Sequence, residues 1–293
     1  VQGKTQVMSS CCQDGPPPVR LPSGELGFAE RTLVMGVINM TPDSFSGDGL
    51  SNNVAVAVRQ ARNFATAGAD LIDIGGQSTR PGSRQISAAE ELDRVIPTIE
   101  AVRAEVDVPI SVDTSVVEVA EQALEAGAEM INDVCALRGE GMAELAAQAG
   151  VPVVIMHMQG TPGDMQDNPT YEDVITDISD FLARRIEAAV AAGIEEKQII
   201  VDPGFGFGKT VEHNYGILNN LDSFKSFGLP ILVGLSRKSM INKVLKIKPE
   251  NALNGTTVLN TIALLKGADI LRVHDVKEAV EVIKIVSELN ECD

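Results

Sequence analysis

Three stretches of this chain repeat one pattern: a glycine, an alanine, an acid, two apolar residues, and then a polar residue of changing identity. They are Gly68-Ala69-Asp70-Leu71-Ile72-Asp73, Gly127-Ala128-Glu129-Met130-Ile131-Asn132 and Gly267-Ala268-Asp269-Ile270-Leu271-Arg272. Glycine tolerates the left-handed conformation that ends a helix, and a short apolar run behind it reads as a buried parallel strand. Each copy therefore predicts a helix end, a turn, a strand, and a polar group delivered at the far end of that strand.

Looser copies fill the intervals. Residues 32–38 run to Asn39, 108–112 to Asp113, 150–156 to His157, 198–201 to Asp202, and 228–233 into Gly234-Leu235-Ser236-Arg237-Lys238. Between the strands, residues 54–67, 88–105, 116–126, 172–192 and 277–289 carry apolar side chains at three- and four-residue spacing, as helices lying on a sheet require. Eight strands alternating with helices over roughly 260 residues match an α/β fold of the (β/α)8 TIM-barrel kind in a single domain. An open doubly wound sheet is the alternative, but it gathers ligands at one switch point. Here the polar strand ends are spread over all eight units, as a barrel mouth requires.

Composition narrows the ligand. The chain of 293 residues is 44% hydrophobic, enough for one large core, and carries a net charge of −17. Such an acidic surface argues against nucleic acid as a partner. No apolar run approaches the ~20 residues of a membrane span, so no membrane partner is expected either. Yet Arg80, Arg237, Lys238, Arg272 and His274 all fall at or just beyond strand ends. A basic mouth on an acidic body calls for an anionic ligand. Cys11, Cys12, Cys135 and Cys292 show neither zinc spacing nor a disulfide framework, which places the chain in a reducing compartment, the cytoplasm or an organelle matrix. Residues 1–30, with Pro16-Pro17-Pro18 and few apolar side chains, read as a poorly ordered tail or linker ahead of a barrel over residues 31–293.

The most unusual string is Asp202-Pro203-Gly204-Phe205-Gly206-Phe207-Gly208-Lys209. It satisfies neither a phosphate-loop nor a dinucleotide fingerprint. Alternating Gly and Phe after a strand-end Asp suits a loop whose backbone approaches a flat ligand, with Phe207 over the ligand and Phe205 packed on the rim. The loops at 39–49 and 75–82 have the polar, glycine-bearing composition of lids. Asp73, Asp113 and Asp202 each have a plainer reading as a cap on the following helix, which is favoured for Asp73. Lys238 reads as a Schiff-base lysine, a phosphate binder or a helix-start charge, and its place beside Ser236 and Arg237 favours an anion site. His274 suits a general base or an anion donor, and His213 is expected at the surface.

Taken in order, Asn39-Met40-Thr41-Pro42-Asp43-Ser44-Phe45-Ser46, Ser78-Thr79-Arg80-Pro81-Gly82, Ser111-Val112-Asp113-Thr114, Ile131-Asn132-Asp133, Met156-His157-Met158-Gln159-Gly160, the Asp202 to Lys209 string, Ser236-Arg237-Lys238-Ser239 and Arg272-Val273-His274-Asp275 resemble the dihydropteroate synthase family. The resemblance spans about residues 31–289. It implies a transferase that joins 6-hydroxymethyl-7,8-dihydropterin diphosphate to p-aminobenzoate, with Mg²⁺ as cofactor and a homodimer as the assembly, and it leaves room for a pyrophosphokinase domain fused in a longer chain. It further implies that Asp113, Asn132, Asp202 and Lys238 hold the pterin with Met156 packed on its ring. Asn39, Arg80, Arg272 and His274 would engage the diphosphate, with Asn39 also on the metal, and Phe45, Thr79, Phe207 and Ser236 would shape the p-aminobenzoate site. Asp113, Lys238, Arg272 and His274 are the expected catalytic set. Two departures stand out: Gln77 where Glu is common in bacterial members, and Ser46-Gly47-Asp48-Gly49 where Ser-Asp-Gly-Gly is commoner, so no role is assigned to Asp48. A pterin-binding methyltransferase barrel, a lysine Schiff-base aldolase and a non-catalytic pterin-binding module are the rival readings.

Overall fold

The computed structural model describes residues 15–41, 53–78 and 83–290. The chain enters through a hairpin, β1 (Val19–Leu21) and β2 (Gly24–Leu26), and then alternates strand and helix. The succession is β3 (Leu33–Asn39), α1 (Val54–Ala67), β4 (Leu71–Gly75), α2 (Ala88–Arg103), β5 (Ile110–Asp113), α3 (Val117–Glu125), β6 (Met130–Asp133), α4 (Met142–Ala149), β7 (Val153–Met156), α5 (Val174–Ala191), β8 (Ile199–Asp202), α6 (Val211–Asn219), β9 (Leu232–Val233), α7 (Ser239–Leu245), α8 (Leu253–Leu265), β10 (Ile270–Val273) and α9 (Val276–Asn290). The eight strands from β3 onward pair in parallel in the order β8-β7-β6-β5-β4-β3-β10-β9. A parallel bridge between Val201 and Ile231 joins the two edges and closes the barrel.

The repeated glycines do what the sequence asks of them. Gly68, Gly127 and Gly267 have φ of +94°, +109° and +88°. At Gly267 it is the conformation that calls for glycine, since the atoms a Cβ would meet, Lys225 Cε and Nζ, are the movable end of a lysine. The acid two places on serves the bottom of the barrel. Asp70 Oδ2 accepts from the Val34 amide at 2.8 Å and Asp269 Oδ2 from the Ile231 amide at 2.8 Å. Each carboxylate thus satisfies a strand-start donor on the neighbouring strand.

Strand periodicity explains why chemistry follows. Successive side chains alternate faces, so residues two apart point the same way. Met35, Leu71, Met130, Val154, Ile200, Leu232 and Ile270 form one apolar cluster filling the barrel's lower interior. Two residues beyond five of them stand Asp73, Asn132, Met156, Asp202 and Arg272. The intervening residues, such as Ile72, Ile131, Val201 and Leu271, belong to the cluster under the helices.

Residues 15–30 correct the expectation of a poorly ordered tail or linker over 1–30, of which residues 1–14 lie outside the described residues. The hairpin pairs Val19 with Leu26, and Val19, Leu21, Leu26 and Phe28 join the lower interior cluster, plugging the barrel's bottom. Gln198 clamps it by accepting from the Arg20 amide and donating to the Arg20 carbonyl, both at 2.8 Å. Glu129 Oε2 accepts from the Ser23 amide at 2.7 Å. Burying four such side chains contributes roughly 6–12 kcal/mol before the entropy of ordering the segment is set against it. The alternation was present in the sequence, but three-residue strands broken by prolines hide it.

Candidate active site

The endpoints of the three repeats meet at one carboxylate. Asp73 Oδ2 accepts from Asn132 Nδ2 at 3.1 Å, from Arg272 Nε at 2.7 Å and from Arg272 Nη2 at 2.6 Å. Arg272 Nη2 also reaches Asp113 Oδ2 at 2.7 Å. None of the three aspartates caps a helix, which corrects that reading for Asp73. The caps of α2 and α6 are Ser87 and Thr210. Asp202 Oδ1 instead accepts from the Gly204 amide at 2.7 Å, fixing the start of the Gly-Phe loop.

Burial sets the charge states. Desolvation pushes Asp113 up to about 7, with the Arg272 guanidinium opposing and Asp73, Glu91 and Asp133 adding to the rise. Desolvation also raises Asp202, against the pull of Lys238. Lys238 is drawn down to about 8 by burial, with Asp202 opposing and Arg272 adding to the fall. Its Nζ donates to the Phe205 carbonyl and stands 4.7 Å from the centre of the Phe207 ring.

A cavity of about 420 Å³ opens at the C-terminal ends of the strands, in the size range of small-molecule sites. Asn39, Asp113, Phe207, Ser236, Lys238, Arg272 and His274 line it, so seven of the expected site residues share one wall. Asn132, Met156 and Asp202 do not line it. They are 4%, 3% and 6% exposed and lie within the barrel top. Met156 packs with Val134, Met158 and Met165, and Phe207 lies against that group. His274 Nδ1 and Ser236 Oγ are 3.0 Å apart, joining the ends of β10 and β9. Arg237, with φ of +58°, is turned onto Asp275 at 2.6 Å. Phe45, Thr79, Arg80 and Asp48 lie outside the described residues.

Several features escaped the sequence reading. Met165 and Gln166, from the loop after β7, line the cavity. That loop is as rich in Gly, Pro and polar residues as the two read as lids, which was the available signal. His213 is half-buried and completes a capping box with Thr210 at the start of α6. Gln77 acts as a latch: Nε2 donates to the Ser78 and Arg84 carbonyls at 3.0 and 3.1 Å, while Oε1 accepts from the Ile86 amide at 2.9 Å. A glutamate there would have no hydrogen to donate to the two carbonyls.

Fold and mouth together define a barrel enzyme whose small-molecule site is built on the C-terminal strand ends. Residues 35–274 match the family described as pterin binding enzyme. The chain is 47% identical over 253 residues to the dihydropteroate synthase of Escherichia coli, covering 86% of this chain and 90% of that one. Its identity to the dihydropteroate synthase of Synechocystis is 44% over 276 residues, covering 94% and 96%. A Yersinia pestis dihydropteroate synthase solved with a sulfonamide drug superposes with a TM-score of 0.91 at 46% identity, covering 94% of this chain and all of that one. A Xanthomonas albilineans dihydropteroate synthase solved with 4-aminobenzoic acid gives 0.87 at 43%, covering 94% and 98%. The chain belongs to the dihydropteroate synthase family, transferases built on a pterin-binding barrel. Identity to synthases over most of the chain sets aside the methyltransferase and aldolase readings.

Proposed function

We propose that this chain joins 6-hydroxymethyl-7,8-dihydropterin diphosphate to p-aminobenzoate, in the cytoplasm, as a step of folate biosynthesis. The observation that carries the reading is the set of acceptors and donors on or beside strand ends: Asp113, Lys238 and Arg272 lining the cavity, with Asn132 and Asp202 buried in the barrel top. A pterin edge presents a matching mixed row, and a rigid polar site rejects analogues that leave its groups unpaired. Met156 and its sulfur-rich neighbours supply a polarizable floor for the ring. Lys238 would exchange the Phe205 carbonyl for the pterin.

Bond breaking places charge at both ends of the cavity. The methylene–oxygen bond breaks, diphosphate takes the electron pair, and a pterin methylene cation remains. The aniline nitrogen of p-aminobenzoate then bonds to that carbon and loses one proton. Asp113 stabilises the cation by its charge, while Arg272 and His274, with Arg80, meet the growing charge on diphosphate. Phe207 and Ser236, with Phe45 and Thr79, orient the aniline.

Among the described residues no group of three His, Cys, Asp or Glu side chains is placed to hold a metal ion. The Asn39 side chain, half-buried at the cavity, offers one amide oxygen. That suits Mg²⁺, which keeps several waters and binds largely through substrate phosphates. When bound there it would neutralise charge on the leaving diphosphate. Dihydropteroate should form only when both substrates are present, and chelation of Mg²⁺ should suppress it. A purified enzyme that makes no dihydropteroate with all three supplied would overturn the reading.

We also infer a homodimer. Val244, Leu245, Val258, Ile262, Leu265 and Ile285 are exposed on α7, α8 and α9, at 54%, 49%, 50%, 37%, 57% and 71%. Sedimentation should show a dimer that Leu265→Glu weakens; a monomer at all working concentrations would refute it.

A further inference from the structure

The loop that carries Phe207 is shaped by side chains that take up its carbonyls. Five successive carbonyls each accept from a side chain. Lys209 Nζ takes those of Gly204 and Phe207 at 2.8 and 2.9 Å, and Lys238 takes that of Phe205. Gln166 Nε2 takes that of Gly206 at 2.6 Å, and the Tyr171 hydroxyl takes that of Gly208 at 2.7 Å. Three glycines make the curl possible, with φ of +72°, +82° and +62° at Gly204, Gly206 and Gly208. A Cβ at Gly204 would lie 1.9 Å from the His157 carbonyl oxygen, and one at Gly208 would lie 2.5 Å from that of Gln159. The loop is therefore pressed against the segment that follows β7.

Lys209 is the hub of this arrangement. It is 3% exposed, and its Nζ also lies 2.9 Å from His157 Nδ1. Two carbonyls and the imidazole nitrogen within 2.9 Å match the three hydrogens of an ammonium when His157 carries its proton on Nε2. Burial lowers the Lys209 ammonium, and it lowers His157 to about 2, which keeps the imidazole neutral; in its Nε2–H tautomer Nδ1 is free to accept from Lys209. Lys209 is not among the residues lining the cavity, whereas Phe207 is.

We propose that Lys209 is a positioning residue for the p-aminobenzoate subsite: its ammonium, clamped between Gly204, Phe207 and His157, curls the loop so that the Phe207 ring faces the cavity beneath Lys238. This rests on the reading of Phe207 as a wall of that subsite. Loss of the clamp frees the carbonyls of Gly204 and Phe207 to turn outward, and the ring turns with them. The pterin contacts on strand ends stay in place.

The test compares Lys209→Met, Tyr171→Phe and Phe207→Ala in full steady-state kinetics, with binding of the pterin diphosphate alone measured by calorimetry. Lys209→Met should raise the KM for p-aminobenzoate by about tenfold, and Tyr171→Phe, which releases only the Gly208 carbonyl and stays clear of the cavity, by about threefold. Pterin affinity should stay within about threefold of wild type in both. A merely structural role would lower the thermal midpoint or the active fraction without splitting the two substrates. Should Lys209→Met fail to fold, Tyr171→Phe decides alone. An unchanged KM for p-aminobenzoate in the folded variants, or an equal loss of pterin affinity, overturns the proposal. If Phe207→Ala itself leaves that KM unchanged, the subsite reading falls and the proposal with it.

Discussion

The two ends of the barrel use the same repeat to opposite effect. At the bottom, the acids Asp70 and Asp269 each accept from a strand-start amide, and Asp70 also pairs with Arg31 at 2.8 Å. Each charge there answers to a local structural need. At the mouth, three residues further along the same strands, Asp73 and Arg272 sit in one network with Asp113 and Asn132. There a single guanidinium serves two carboxylates, and Asp73 Oδ1 is buried without a hydrogen-bond partner. The bottom is arranged for stability, whereas the mouth holds charge in excess of what folding needs. Such an arrangement is expected where a ligand completes the set.

The most severe way to probe that contrast is Arg272→Met. It leaves Asp73 and Asp113 buried beside each other with no cation, which should cost about 3–5 kcal/mol of stability. Turnover should fall by at least about a thousandfold, since the cation also meets the diphosphate. Adding Asp73→Asn should recover part of the stability, read by urea unfolding, but none of the activity. Recovery of both would mean that the mouth, like the bottom, is a structural network only.

Asp113→Asn separates charge from shape. Removing the carboxylate's charge should slow diphosphate release by about a hundredfold. Pterin affinity, read by calorimetry, should change by no more than about fivefold. Equal losses in both would sink the role of Asp113 in stabilising the methylene cation. The pH profile gives a second readout. With the Asp113 carboxyl raised to about 7 in the free site, the ionised and active form dominates only above that value. Wild-type kcat/KM for the pterin should therefore rise with pH through about 7 and level off, and Asp113→Asn should lack that limb.

How legible these two ends were in the sequence follows from the range of the interactions. The strand ends were legible because period-two alternation and a glycine stop signal are local, so Asp113, Asn132 and Arg272 could be placed from their own neighbours. The family resemblance then supplied roles that no spacing contains. The role of Asp73 was not legible. Its partner Arg272 is 199 residues away, and a carboxylate after a strand reads equally well as a helix cap until the barrel closes. Lys209 was hidden for the same reason, because its acceptors come from two loops and its neighbouring glycines imitate a phosphate loop. The bottom plug was missed because β1 and β2 are short and separated by Pro22, so their apolar side chains acquire meaning only against the interior they cover.

The gentlest test returns to the bottom. Burial pushes the Asp269 carboxyl up to about 6, with the Ile231 amide and Lys225 opposing. A carboxyl raised in the fold is protonated in both states below about pH 4. As pH climbs from there to about 6, the unfolded chain ionises first, so the folded protein loses stability over that window; above it the difference is constant. Asp269→Asn keeps an oxygen that can accept from the Ile231 amide but cannot ionise. Its stability relative to wild type should therefore improve between about pH 4 and pH 6 and then plateau, with a total change of about 2–3 kcal/mol, and turnover should be unchanged. Urea unfolding at a series of pH values reads the slope, and the synthase assay reads turnover. A fall in turnover as large as that of Asp113→Asn would erase the distinction between the two ends. A difference that slopes the other way would show that Asp269 is held as a carboxylate by its neighbours, making the bottom of the barrel as dependent on charge as the mouth.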